Sequence, residues 1–549
     1  MARSSAQYFI RYPAGAGTNP WLRLLGLLLL LVTACNPLQA QDFSTAVQTL
    51  DTKSFSAKEE AISALVETGG DRTLTVLQAM LEGNLHSRNE DGLVVILDDR
   101  GGERRIYDAA QGNDLGTVGA RETRKIGINN SLRTALRGAI ARLNLGSPDA
   151  TVRLAAVQAM FSELEPRLKP LLQEALAREE DGKVRDLLTT AIAISDLEND
   201  DTALQLEAIE ILDDSILPEA RNRLAVLAEQ ADSPRLREAA HQALKNIEFR
   251  LQLYALAETI FFGMSLGSVL LLAAIGLAIT FGVMGVINMA HGELIMLGAY
   301  TTYLVQLAMP NHLEWSMLVA VPAAFLVSGA FGVAIERSVI RFLYGRPLET
   351  LLATFGISLI LQQLVRSAIS AQNVTVANPG WMSGSLEINA VLSITYNRLY
   401  IVIFALLVFV APLAILKKTT LGLQVRAVAQ NRPMARAMGI RSEWVDAMTF
   451  GLGSGIAGVA GVALSQITNV GPNMGQAYII DSFMVVVFGG VANLWGTLVG
   501  AFTLGIANKF LEPYSGAVLA KILILVFIIL FIQKRPRGLF PQKGRMAEN

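Results

Sequence analysis

Polar residues set among apolar ones mark where chemistry can sit in this chain of 549 residues, and they fall in three stretches. The first is Gly282-Val-Met-Gly-Val-Ile-Asn288-Met-Ala-His291-Gly-Glu293, which interrupts an apolar hairpin with an amide, an imidazole and a carboxylate. Ionisable groups at membrane depth are costly and often functional. Charge-based topology puts this turn near the cytoplasmic face, where the same groups are simply solvated, so a functional and a structural reading both stand. The second stretch supplies the amides of Asn473, Gln476 and Asn493, which can hydrogen-bond a small neutral polar solute, or one another. Asp481, Lys509 and Lys521 lie near the ends of apolar runs, where snorkelling or ion pairing accounts for them.

The third stretch is Lys417–Arg441, with six basic residues and no acid. It lies between two apolar runs long enough to cross a bilayer, Leu399–Leu416 and Trp444–Gln466, which marks it as cytoplasmic. Leu421, Val425 and Val428 fall at helical spacing, and Arg432-Pro433 breaks into a second short helix, Met434–Met438, closed by Gly439. Such an amphipathic pair suits a grip by a soluble partner; the alternative is a solvated basic loop that only sets topology.

These stretches are positioned by nine apolar runs between Glu258 and Ile532, about eight or nine spans, some shorter than a straight crossing wants. The pair flanking Asn493-Leu494-Trp495-Gly496 reads as broken or re-entrant. Glycines at small-xxx-small spacing, as in Gly263…Gly267, Gly451…Gly455 and Gly496…Gly500, let helices approach closely. With Arg337/Arg341/Arg346, Lys417–Arg441 and Lys534–Arg537 all inside, the parity of the spans places residues 42–257 in the periplasm and the C-terminus in the cytoplasm.

A leader agrees with that placement. Arg23 precedes a short apolar core, Leu24–Val32, too short to span, and Ala40 is a plausible cleavage point. The only cysteine, Cys35, falls in this leader, and Val32–Cys35 also reads as a lipoprotein box. Residues 1–40 are therefore read as a signal peptide, 41–257 as a periplasmic domain and 258–549 as a transmembrane domain. Composition divides the same way: 25 Lys and Arg against 36 Asp and Glu over residues 42–257, and 18 against 11 from Glu258 onward. The basic residues flank the membrane runs, which excludes a nucleic-acid partner.

Residues 42–257 repeat a helical pattern in which Asp149, Asp181 and Asp232 each open a helix with an Arg-bearing first turn and an Ala/Leu stripe. Such pairs resemble HEAT-like repeats. Gly92–Gly127 is different: Leu93–Leu97, a turn at Asp98–Gly102 and Arg104–Tyr107 read as a β-hairpin insertion. The expected fold is thus all-α, a polytopic membrane bundle preceded by a helical-repeat domain with a small hairpin. His86 and His241 stand alone and read as surface or packing residues. No P-loop, HExxH, CxxC or GxSxG occurs, so no catalytic residue, metal or cofactor is expected, and nucleotide chemistry must belong elsewhere.

Several motifs taken together in order resemble the permeases of branched-chain amino acid ABC importers. They are Gly285-Val-Ile-Asn288-Met-Ala-His291-Gly-Glu293…Leu297-Gly298-Ala299-Tyr300, Glu336-Arg337…Arg346-Pro347-Leu348, Thr420–Ile440, Ala457-Gly458-Val459-Ala460-Gly461 and Phe488-Gly489-Gly490…Trp495-Gly496. The C-terminal run Asn508–Pro513…Lys534-Arg535-Pro536-Arg537-Gly538-Leu539-Phe540, with the long N-terminal extension, is similar to the urea-transporter branch of that family. The resemblance implies a permease subunit in the bacterial inner membrane, paired with a second permease. It also implies two cytoplasmic ATPases and a periplasmic solute-binding protein. Urea is the implied solute; branched-chain or other amino acids are the alternative, and a stand-alone channel or secondary transporter with a sensing domain is the alternative of another class. It also assigns ATPase coupling to Thr420, Gly422, Arg426, Gln430, Asn431, Ala435, Arg436 and Gly439.

Overall fold

The computed structural model describes residues 36–99, 104–119, 121–161, 164, 168–389, 391–491 and 493–540. The leader's Arg23, its apolar core and Cys35 lie outside the described residues, while Ala40 falls in the first helix. The chain divides into two units between Glu248 and Phe249.

The first unit holds α1 (Asn36–Thr49), α2 (Phe55–Thr68), α3 (Thr73–Glu82), α4 (Asn130–Asn144), α5 (Ala150–Met160), α6 (Lys169–Arg178), α7 (Gly182–Asp196), α8 (Thr202–Leu212) and α9 (Pro218–Gln230). Local sequence sets the helix starts. Asp149 accepts from Thr151 N–H at 2.8 Å, and Asp181 from Lys183 and Val184 N–H at 2.9 and 3.1 Å, satisfying amides that have no helical partner. The grip between α5 and the α6–α7 turn is Arg153, whose guanidinium holds both carboxylate oxygens of Glu179 at 2.7 Å. That bidentate pairing pulls the Glu179 carboxyl down to about 2.

The expected hairpin is part of a larger sheet. β1 (Leu85–Arg88), β2 (Val94–Asp98), β3 (Arg105–Asp108), β4 (Asp114–Thr117) and β5 (Thr123–Lys125) form an antiparallel sheet ordered β4-β3-β2-β1-β5. The central pairing, Ile96↔Tyr107, is the hairpin read from sequence. The flanking strands are three or four residues long and rich in Ser, Arg, Thr and Asp, so no apolar alternation announces them. This corrects the all-α expectation for the first unit. One face of the sheet, with Leu85 and Val94, packs on Leu65, Leu77, Leu132 and Leu136, and each such buried side chain contributes roughly 1.5–3 kcal/mol.

The helix α10 (Pro234–Met284) crosses the boundary between units. The second unit continues with α11 (His291–Ala308), α12 (Leu313–Ser338), α13 (Pro347–Ala368), a small β6–β7 hairpin (Ser385–Glu387, Ser393–Thr395), α14 (Tyr396–Lys418), α15 (Thr420–Gln430), α16 (Arg432–Ala437), α17 (Ser442–Ser465), α18 (Met474–Gly489) and α19 (Leu494–Lys534). Among the described residues, six helices are long and apolar enough to cross a membrane: α10, α12 with its C-terminal 3-10 turn, α13, α14, α17 and α19. The difference from nine apolar runs has three sources. α11 carries His, Glu, Thr and Tyr among its apolar residues, α18 has 16 residues, and the last two runs join in α19 across Gly516, whose φ of 77° breaks the helix.

Glycine places these helices against one another. A Cβ on Gly505 would stand 2.6 Å from the Gly263 carbonyl oxygen, and one on Gly455 would stand 3.0 Å from that of Phe325. In lipid, where burying apolar surface gains nothing, this close packing holds the bundle.

Candidate functional site

The first candidate stretch is buried, not solvated. The Gly285–Ala290 segment folds back along α10, so that His291 Nε2 lies 2.8 Å from the Ala273 carbonyl oxygen. Ala273 stands eleven residues before the end of α10, about 16 Å at 1.5 Å per residue. Asn288, His291 and Glu293 are at most 1% exposed. The expectation that these groups are solvated fails because it counts residues along the chain. It does not see the turn double back.

Two neighbouring elements fix these side chains. Asn288 Oδ1 accepts from Ala290 N–H at 3.0 Å, and Met289 N–H donates to Thr354 Oγ1 at 3.1 Å. Glu293 Oε1 accepts from Ser358 Oγ at 3.1 Å and from Gln362 Nε2 at 2.7 Å. Asn288 Nδ2, His291 Nδ1 and Glu293 Oε2 have no partner among the described residues. Sequence reasoning missed the α13 side of this site. Thr350, Thr354, Ser358 and Gln362 recur every fourth residue and are buried, and Arg366 continues the row at the exposed end. The period of four inside an apolar run was the available signal.

Arg366 reaches the second candidate stretch: its guanidinium donates to Asn473 Oδ1 at 2.6 Å. Asn473 precedes α18 without capping it, and Gln476 is an exposed third residue of that helix. The two stretches meet through glycine. A Cβ on Gly292 would stand 2.7 Å from the Gly475 carbonyl carbon, and one on Gly475 would stand 2.8 Å from Glu293 N. Five of the six path candidates are thus brought into one neighbourhood. Asn493 is not among them: it caps α19, accepting from Trp495 and Gly496 N–H at 3.1 and 3.2 Å.

The third stretch is a helix pair clamped at its base. Thr419 caps α15, which begins at Thr420, by accepting from Gly422 N–H at 3.2 Å, and Gly422 is packed too tightly against the Leu416 carbonyl to admit a side chain. The Arg426 guanidinium donates to that same carbonyl. Gln430 ends α15 with its side chain exposed. Asn431 caps α16 through Met434 N–H at 3.0 Å, and Arg436 Nε donates to Ser442 Oγ at 2.6 Å. Gly439, at φ 87°, lets Ile440 N–H return to the Ala435 carbonyl at 3.0 Å, closing α16. Val425, Val428, Ala435 and Val445 form the buried seam, with Val283 of α10 against it. Arg432 ties α16 to α17 through Asp446 and stacks 3.8 Å from the Tyr344 ring. Leu423, Met434 and Met438 point away from all of this, 62%, 60% and 77% exposed.

The family described as the permease component of the branched-chain amino acid transport system matches residues 259–532. The LivH permease of Salmonella typhimurium is 31% identical over 291 residues, which make up 94% of that protein and 51% of this chain. The chain belongs to this permease family. The BraD permease of Pseudomonas aeruginosa is likewise 31% identical over 297 residues, 96% of its length and 52% of this chain. A probable LivH permease of Methanocaldococcus jannaschii is 26% identical over 291 residues, covering 88% of its length and 50% of this chain. No solved structure matches with significance. All three stretches fall inside the family's segment of the permease, and the unit ending at Glu248 falls before it. With its apolar helices and these relatives, the permease is a multi-pass protein of the inner membrane.

Proposed function

We propose that this permease subunit forms the path of an ATP-driven importer and is driven from the cytoplasm through α15 and α16. The observation that carries the reading is the clamped helix pair: its apolar seam is fixed to α10 and α17, while Leu423, Met434 and Met438 stand exposed among arginines. A rigid base with an apolar and basic outer face can pass a partner's movement into two helices at once. In this reading Thr420–Ile440 seats a cytoplasmic ATPase, a second permease completes the path and a solute-binding protein delivers from the periplasm. Residues 1–40 export the chain, and the helical pairs of 41–257 stand in the periplasm as a HEAT-like docking scaffold. Replacing Met434 and Met438 by Asp tests the loop: ATPase co-purification should be lost while the permease still accumulates.

The solute is urea in this proposal. The C-terminal run and the N-terminal extension resemble the urea branch, and the polar groups near Gly292 and Gly475 include neutral amides and hydroxyls suited to a small amide. A second reading, branched-chain amino acids, is favoured by a carboxyl group, Glu293, and a guanidinium, Arg366, in one neighbourhood, groups that suit the two ends of a zwitterion. Uptake of labelled urea against labelled leucine by cells carrying the complete importer separates the two.

A further inference from the structure

The two helices that meet at Gly292 and Gly475 both begin there. Gly292 is the second residue of α11 and Gly475 the second of α18. The third residue carries a carboxylate in one helix, Glu293, and the corresponding amide in the other, Gln476. The helices preceding them also touch through glycine: a Cβ on Gly276 of α10 would stand 3.1 Å from the Gly453 carbonyl carbon of α17, and one on Gly453 would stand 2.7 Å from the Gly276 carbonyl oxygen. Both contacts are reciprocal, as a local two-fold relation between α10–α11 and α17–α18 requires.

This arrangement puts two helix N-termini deep in the bundle. Neither is capped by a side chain. At α11 the His291 and Glu293 N–H groups turn back to the Asn288 and Ala290 carbonyls, and at α18 Met474 N–H turns back to Gly471. That leaves the N–H groups of Gly292, Gly475 and Gln476 over among the described residues. The positive ends of both helix dipoles point at the same place. Beside them, buried Asn288 keeps Nδ2 without a partner and buried Glu293 keeps Oε2 without one. Asn473, Gln476 and Arg366 are exposed around the same point and form its open side. Discontinuous helices whose N-termini face polar solute groups are a recurring way to bind solute within a membrane.

We propose that the paired N-terminal turns of α11 and α18, beside the Gly292–Gly475 contact, recognise the transported solute. The leftover N–H groups of Gly292, Gly475 and Gln476 and Asn288 Nδ2 take a carbonyl or carboxylate oxygen, and Glu293 Oε2 takes an N–H. The class of solute is a small molecule with an oxygen acceptor and nitrogen donors one or two carbons apart, which urea and amino acids share. The inference rests on the reading of the chain as a permease that moves such a solute.

The test uses the complete importer with Cys35→Ser and a single reporter, Ala477→Cys, on the exposed start of α18. Modification by a small methanethiosulfonate is timed with and without millimolar urea or leucine. One of the two solutes should slow it several-fold, and the solute that protects identifies which source of the chemistry is used. A Leu352→Cys reporter on the outer face of α13 should be unaffected. Adding Glu293→Gln to Ala477→Cys should raise the protecting concentration about tenfold, the loss expected for one hydrogen bond. A reporter that neither solute protects, in a complex that still imports one of them, overturns the site alone. A complex that imports neither overturns the transport reading and the site with it.

Discussion

Gly453 comes so near Gly276 that a Cβ on it would stand 2.7 Å from the Gly276 carbonyl oxygen. No side chain fits at either position while α10 and α17 keep their distance. Gly276→Ala should therefore destabilise the detergent-solubilised permease by about 1–3 kcal/mol or more, read as a lowered thermal transition. Gly356→Ala is the contrast. That glycine lies inside α13 with nothing within 4 Å of its would-be Cβ, so the change should be neutral or stabilise by up to about 1 kcal/mol.

The loop prediction separates docking from folding. Gly439→Val forces a β-branched residue to φ 87°, which costs roughly 1–2 kcal/mol and should loosen α16, lowering both ATPase co-purification and uptake. Met438→Asp changes only an exposed side chain. It should leave the thermal transition within about 0.5 kcal/mol of the parent and still reduce co-purification strongly.

In the first unit, acid should loosen the join between α5 and α7 before neutral pH affects it. Glu179 titrates near 2 in the folded chain because Arg153 holds both its oxygens, against about 4.3 when unfolded. A lowered folded value means stability that is complete above about pH 5 and is lost as pH falls toward 2. Hydrogen exchange of α5 and α7 amides in the whole protein should be flat from pH 7 to 5 after correction for intrinsic rates, then rise below. Glu179→Gln should remove that dependence.

The Lys521–Asp481 pair, at 3.0 Å, joins the second arm of α19 to α18. Asp481→Asn leaves the ammonium without its counter-charge and should lower the thermal transition. The double change with Lys521→Met should restore most of the loss, since removing one partner costs more than removing both.

Much of this molecule is legible in its residues. Apolar runs mark the helices of the second unit, Asp149 and Asp181 announce their helix starts, and Val425 and Val428 show the inner face of α15. What stays hidden depends on partners distant in sequence. The depth of Glu293 follows from the contact of Gly292 with Gly475 and from α13 lying alongside, neither of which local periodicity carries. Asn493 looks like a path amide until its place before α19 makes it a cap. The strands β1, β4 and β5 are too short and polar to be seen before β2 and β3 give them an edge to pair with.

The most direct test of the account is ATP-dependent uptake of labelled urea by the complete importer, with the ATPases active or disabled. Uptake that stops when hydrolysis stops is the expected result. Urea or leucine crossing at the same rate with disabled ATPases, or with none present, would contradict it.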